Sequence, residues 1–240
     1  MNGLRERGIA PDPASAHLEV ASRTDRGVSA RANVLAIRSV LPEVALLHRL
    51  NAIAPELFFT AVAPASPAFR VRRALRRTYR YFEPGPLSGG AGLDRATRIF
   101  EGLVDVRSFG RALPSREPVY RTVESLNVTA VGGGRRIEVR APSFVWGMVR
   151  KIVGALREVE AGRLTLSQLE AAIAGRERLT LPMAEPEGLV LWDVEYDGLD
   201  WPTKWPGANR HQERLARRTQ TSVWQRASVL RELWGPVSPE

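Results

Sequence analysis

The chain has 240 residues, 44% of them hydrophobic and 25% charged, with 35 Lys plus Arg against 26 Asp plus Glu, a formal net charge of +9. That mixture suits a folded chain with a real core and argues against wholesale disorder. There is no cysteine, so disulfides, thiol chemistry and Cys-ligated zinc are excluded, and the scattered His17, His48 and His211 make no metal-binding spacing.

The length admits one large domain or two modest ones. Nearly all of the positive charge is arginine, Lys151 and Lys204 being the only lysines. Arginine's planar fork matches phosphate oxygens and stacks on bases, so a polyanion, nucleic acid first, is the expected partner. A high-GC genome enriches arginine codons too, and composition does not separate the two explanations. No run approaches the ~18 consecutive apolar residues of a membrane span, and the N-terminal stretch lacks the apolar core of a signal peptide. A cytoplasmic protein with no membrane association is expected.

In chain order, "HLEVAS" (17–22) and "ANVLAIRSV" (32–40) are predicted strands on either side of a loop, "RTDRGV", that carries Asp25. "PEVALLHRLNAI" follows as a helix with Pro42 in its first turn, then "LFFTAVAPA" (57–65) and "RRTYRYFEP" (76–84) as strands. The Gly-, Ser- and Pro-rich run 86–94 is the predicted linker between two halves, and a short helix follows it. "TVESLNVTAV" and "RRIEVRAPS" form a hairpin around Gly132, Gly133 and Gly134. The clearest helix covers 145–161, where Val145, Met148, Val149, Ile152, Val153, Leu156 and Val159 make one stripe that Gly162 ends. Arg150 falls beside that stripe, on a flank with Trp146 and Arg157. "LSQLEAAIAG" is a second helix, "GLVLWDVEY" (188–196) a late strand, and 208–233 a basic helix. No repeat of solenoid length occurs.

Two clusters invite a chemical reading. Arg70, Arg72, Arg73, Arg76, Arg77 and Arg80 interleave with Phe69, Tyr79 and Tyr81, the mixture that phosphate contact and base stacking require. Strand alternation sends Arg77, Tyr79 and Tyr81 to one face, so Tyr79 meets either a core or a ligand. Asp25, ahead of Arg26 and Gly27, is open to two readings: an Asx-turn flanked by surface ion pairs from Arg23 and Arg26, or a catalytic carboxylate.

The run "SRTDRGVSARANVLAI" resembles the Arg-Thr-Asp-x-Gly-Val signature of the tRNA pseudouridine synthase A family. "RRTYRYFEP", "GLVDVRSF", "FVWGMVRKIVGALREVEAGR" and "EPEGLVLWDVEY" resemble further segments of that family, in its order, from about residue 17 to 198. The resemblance implies Asp25, Tyr79 and Arg150 as catalytic residues: a carboxylate that isomerises uridine, a tyrosine that stacks on the uracil, and an arginine that pairs with the carboxylate. It makes Arg23 the residue that enters the space of the flipped-out nucleotide, and Leu189 part of the apolar wall of the pocket. Arg72, Arg73, Arg76 and Arg77 are the expected RNA-binding residues of the basic cluster.

The implied chemistry breaks C1′–N1, turns the uracil and joins C1′ to C5, with no metal and no cofactor. A carboxylate serves it by attacking C1′ or by removing the 2′ proton. The implied fold is α+β, the pseudouridine synthase fold, with two ferredoxin-like halves whose mixed or antiparallel sheets form a central cleft. The expected domains are a catalytic half at 1–85, a C-terminal half at 86–200 and a basic helical extension at 201–240. Arg26 and Ser29 depart from the small residue and histidine common in bacterial members. The Tyr-Asp-Gly strand with which members usually begin is absent, so the N-terminal strand is expected to be missing.

The first functional reading is an isomerase acting on uridines of the tRNA anticodon stem-loop as a homodimer. The alternative is a non-catalytic, N-terminally truncated RNA-binding relative. A DNA-binding protein ranks last, for want of a helix-turn-helix or zinc-finger pattern.

Overall fold

In the computed structural model, residues 2–9, 14–53, 57–84, 90–111 and 115–204 are described. The chain runs through helix α1 (Asn2–Glu6), strands β1 (Glu19–Val20), β2 (Ser29–Ala30) and β3 (Leu35–Ala36), helix α2 (Glu43–Asn51), strands β4 (Ala61–Val62) and β5 (Arg76–Pro84), and helix α3 (Gly90–Phe100). Strands β6 (Gly102–Asp105), β7 (Tyr120–Val123), β8 (Ser125–Val131) and β9 (Gly134–Ala141) lead to helices α4 (Met148–Glu160) and α5 (Leu166–Ile173), then β10 (Leu189–Glu195) and β11 (Thr203–Lys204). This is a mixed α+β chain of the expected class.

Contacts divide it into two units, one of residues 17–37 and 68–198, the other drawn from 1–16, 38–67 and 199–240. The larger unit is built on a five-stranded sheet in the order β2-β10-β5-β9-β8, with β2 parallel to β10 and the other neighbours antiparallel. β5 takes the middle, paired with β10 on one side and β9 on the other. Arg77, Tyr79 and Tyr81 stand opposite Ala141, Val139 and Ile137 of β9, and all six are buried. Helix α3 packs on α4, α5 and β8, and the α4 stripe Met148, Val149, Ile152, Val153 and Leu156 joins the same core cluster as Tyr79, Tyr81, Ile137, Val139 and Leu191.

Several strands are shorter than predicted. The 17–22, 32–40 and 57–65 runs pair over two residues each, β1 with β3 and β4 with β11. Propensity marks a segment able to extend, but pairing length is set by the partner. The predicted linker also differs: Gly90–Asp94 already belongs to α3, whose buried face of Leu93, Ala96, Thr97 and Phe100 carries the helix back into the glycines. The sheet joins strands from both sides of residue 85, since β5 pairs with β9 along its whole length. The basic helix predicted at 208–233 lies outside the described residues.

In the smaller unit, α2 buries Leu46, Leu47 and Leu50. The Asn51 amide brackets Phe59, donating to its carbonyl at 3.0 Å and accepting from its N–H at 2.7 Å.

Candidate active site

The Asp25 loop is tied at its base. Ala21 N–H donates to Val34 O at 2.9 Å, and the Asn33 amide donates to Ser22 O at 2.8 Å. At its tip Val28 N–H donates to Asp25 O at 3.1 Å, closing a turn with Gly27 at φ 90°. A Cβ at Gly27 would lie 3.0 Å from Pro186 Cγ and 3.1 Å from Glu187 Oε1, so the position combines a left-handed backbone with close approach to the turn before β10. The backbone makes the turn, which leaves the Asp25 carboxylate available for another partner.

That partner comes from helix α4, as Arg150 Nη1 donates to Asp25 Oδ2 at 2.9 Å. Both side chains are mostly covered, at 14% and 22% exposure. The off-stripe flank of the helix thus faces the loop, 125 residues distant in sequence. Arg150 is itself aimed: its Nε donates to Ala184 O at 2.6 Å, and Ala184 N–H returns a bond to Arg150 O at 3.1 Å. The other carboxylate oxygen, Asp25 Oδ1, accepts from Trp146 Nε1 at 2.5 Å. Of the two readings of Asp25, the one with surface ion pairs from Arg23 and Arg26 is not seen among the described residues, where Asp25 meets Arg150 and Trp146 instead.

Asp25 and Arg150 open on a cavity of about 650 Å³ also lined by Tyr79, Leu189, Arg23, Arg72, Arg77 and Trp146. Tyr79 forms part of its wall, its ring edge-on to Phe144 at 5.0 Å between centroids. Burial pushes the Tyr79 phenol above the usual tyrosine range, the Ser22 hydroxyl and Arg77 charge opposing this and the Asp25 charge adding to it. Tyr79 therefore presents a neutral ring at physiological pH.

Arg77, grouped with RNA-contacting arginines on sequence, is turned inward. Its guanidinium donates to Ser22 Oγ at 3.0 Å, Arg72 O at 2.9 Å, Ala21 O at 3.1 Å and Pro142 O at 2.5 Å. This arginine ties the start of the Asp25 loop to β5 and to the chain leaving β9. Its strand parity with Tyr79 and Tyr81 was the available signal. Arg76 pairs with Glu124 and Glu195 away from the cavity, and Arg73 is exposed but is not among the lining residues. Arg23 and Arg72 are exposed along the cavity. Trp146 is the contact that sequence reasoning missed; its one signal was the flank it shares with Arg150. Among the described residues no group of three or more His, Cys, Asp or Glu side chains converges to hold a metal ion.

Comparison with known proteins gives the family. A family model described as tRNA pseudouridine synthase matches residues 96–197. The chain is 34% identical to tRNA pseudouridine synthase A of Thermococcus kodakarensis over 97% of this chain and 85% of that protein. It is 34% identical to the protein of that name from Thermococcus gammatolerans, over 98% of this chain and 86% of the relative. With the one from Methanocorpusculum labreanum it shares 35%, over 80% and 68%. A solved chain in the Cbf5-Nop10-Gar1 complex matches with a TM-score of 0.29 at 16% identity, over 52% of this chain and 32% of that one, too slight to carry an argument. With a relative 34% identical over 97% of this chain and 85% of its own length, the chain belongs to the tRNA pseudouridine synthase family.

Proposed function

We propose that the protein isomerises uridine to pseudouridine in the anticodon stem-loop of tRNA, around positions 38–40, with Asp25 as the catalytic carboxylate. The observation that carries this is the Asp25 carboxylate held by Arg150 in a cavity walled by Tyr79 and Leu189. The flipped uridine enters with its uracil against the Tyr79 ring and its ribose toward Asp25. Flipping costs a few kcal/mol of stacking and pairing. The tyrosine face, and Arg23 filling the vacated space, offset part of that cost.

As C1′–N1 weakens, positive charge grows on the ribose and the carboxylate answers it, by addition to C1′ or by removal of the 2′ proton. The released uracil turns, C1′ joins C5, and the hydrogen on C5 leaves as N1 gains one. Arg150 keeps the carboxylate in place for both halves of the reaction. Arg72 and Arg73 take RNA phosphates, while Arg77 supports the loop from within.

The two ferredoxin-like halves around a cleft, a homodimer that completes the tRNA surface, and a cytoplasmic location belong to the same reading. Tritium release from tRNA labelled at uridine C5 tests it, with wild type and Asp25→Ala side by side. Release by wild type alone is expected, with tRNA binding of the variant within a few-fold. Turnover by Asp25→Ala would sink the assignment of the carboxylate. Mapping pseudouridine in the product tRNA tests the anticodon stem-loop, and modification confined elsewhere would overturn that part.

A further inference from the structure

Trp146 lies just ahead of helix α4 and four residues before Arg150, and its side chain reaches the same carboxylate. Several features hold it there. Gly147 at φ 79° reverses the chain before the helix begins, and a Cβ on it would come within 2.8 Å of Met183 Cε. The Trp146 carbonyl accepts from Arg111 N–H at 2.7 Å, and the Arg111 guanidinium covers the indole ring at 4.4 Å. The indole N–H is then 2.5 Å from Asp25 Oδ1. The ring is 55% exposed and lines the cavity, so core packing does not account for its placement.

An aspartate's terminal torsion is broad, so a single donor on one oxygen leaves the plane of the carboxylate free to turn. Arg150 on Oδ2 and Trp146 on Oδ1 fix that plane at both ends. A carboxylate offers about four lone-pair sites, and two remain for the ribose. The second donor is neutral, which matters for an oxygen that must act as nucleophile or base. Another cation at Oδ1 would draw off more of the negative charge, whereas an indole N–H aims the group and leaves that charge largely in place.

We infer that Trp146 is a positioning residue for Asp25, its indole N–H and the Arg150 guanidinium together setting the orientation in which the carboxylate meets C1′ and C2′ of the ribose. The inference rests on the reading of Asp25 as the catalytic group, and the two are tested apart in one experiment.

The rate of tritium release is measured under single-turnover and steady-state conditions for wild type, Asp25→Ala, Trp146→Phe, Trp146→His and Arg111→Ala, on tRNA labelled at uridine C5. Trp146→Phe keeps the ring area and loses the donor; kcat and the single-turnover rate should fall about ten-fold with KM within about two-fold. Trp146→His, which restores a ring N–H, should recover part of the loss. Arg111→Ala frees the ring while leaving the indole donor in place, and should lower kcat about three-fold. Unchanged kcat in Trp146→Phe overturns the inference. So does a raised KM at constant kcat, which would make Trp146 a stacking platform for RNA. If Trp146→Phe fails to fold, Arg111→Ala decides, and a wild-type kcat there sinks the proposal. Activity in Asp25→Ala would bring down the catalytic reading itself, whatever the tryptophan variants do.

Discussion

The two ends of helix α4 use the same chemistry for opposite purposes. At the C-terminal end Arg135 is buried between Glu83 and Glu160, and Arg157 reaches Glu83, Glu185 and the Tyr81 hydroxyl. Each of these arginines meets two carboxylates, and Glu83 is claimed by both. At the N-terminal end Asp25 meets one arginine and one neutral indole, and the remaining space is a cavity. A saturated network closes strands β5 and β9 onto the helix. An unsaturated pair leaves lone pairs for a substrate.

Substitutions along the helix and around it sharpen this contrast. The largest effect is expected at Asp25, where Asp25→Asn removes charge with little change in shape and should cut the tritium-release rate by at least about a thousand-fold, with the melting temperature little moved. Arg150→Met should follow, lowering kcat about a hundred-fold while changing stability by about 1 kcal/mol, because the pair it breaks is partly open to solvent. Arg135→Met should do the reverse, costing about 3 kcal/mol in urea unfolding by stranding Glu160 and leaving Glu83 to Arg157 alone, with near wild-type kcat for the folded fraction. Equal activity losses in Arg150→Met and Arg135→Met would erase the distinction between the two ends.

A smaller effect should appear at Asp105. Burial alone would raise its carboxyl, but the Arg107 side chain and the backbone N–H groups of Val119 and Arg107 more than offset this and hold it below the ordinary value. A carboxyl depressed by folding stabilises above its unfolded value, near about pH 4, and that contribution drains away as pH falls through the lower folded value. The stability gap between wild type and Asp105→Asn should therefore narrow below about pH 4; a constant gap would contradict it. Last, Arg163→Ala removes an exposed partner of Glu158 and should leave unfolding and turnover unchanged within measurement.

Much of this was legible in the chain itself. The period of α4, the full length of β5 and the turn at Gly132–Gly133 follow from local patterns that tertiary packing reinforced. Asp25 and Arg150 were readable as a pair only through resemblance, since no spacing rule links residues 125 apart. Arg77 shows the limit of charge reading. An arginine in a basic run looks like a phosphate contact until the strand's parity turns it to the inside, where carbonyls take its donors. The short β1, β3 and β4 show another limit, because a segment's propensity says nothing about how much partner it will find. Trp146 was hidden for a different reason: its role depends on a reversal at Gly147 that carries the indole back to a loop far away in the chain.

The parallel pairing of β2 with β10 has a consequence in time. Arg31, just beyond the Asp25 loop, donates to the carbonyl of Trp192, 161 residues later, and the turn that Gly27 rests on belongs to the same late segment. A ribosome adding roughly 5–20 residues per second needs about 10–30 s to cover that distance. For most of that interval the nascent chain carries Asp25 without Trp146 and Arg150, which follow 121 and 125 residues later, and for all of it without the complete strand that seats the loop. The Asp25 loop therefore reaches its seated form only after the last stretch of the sheet has been made.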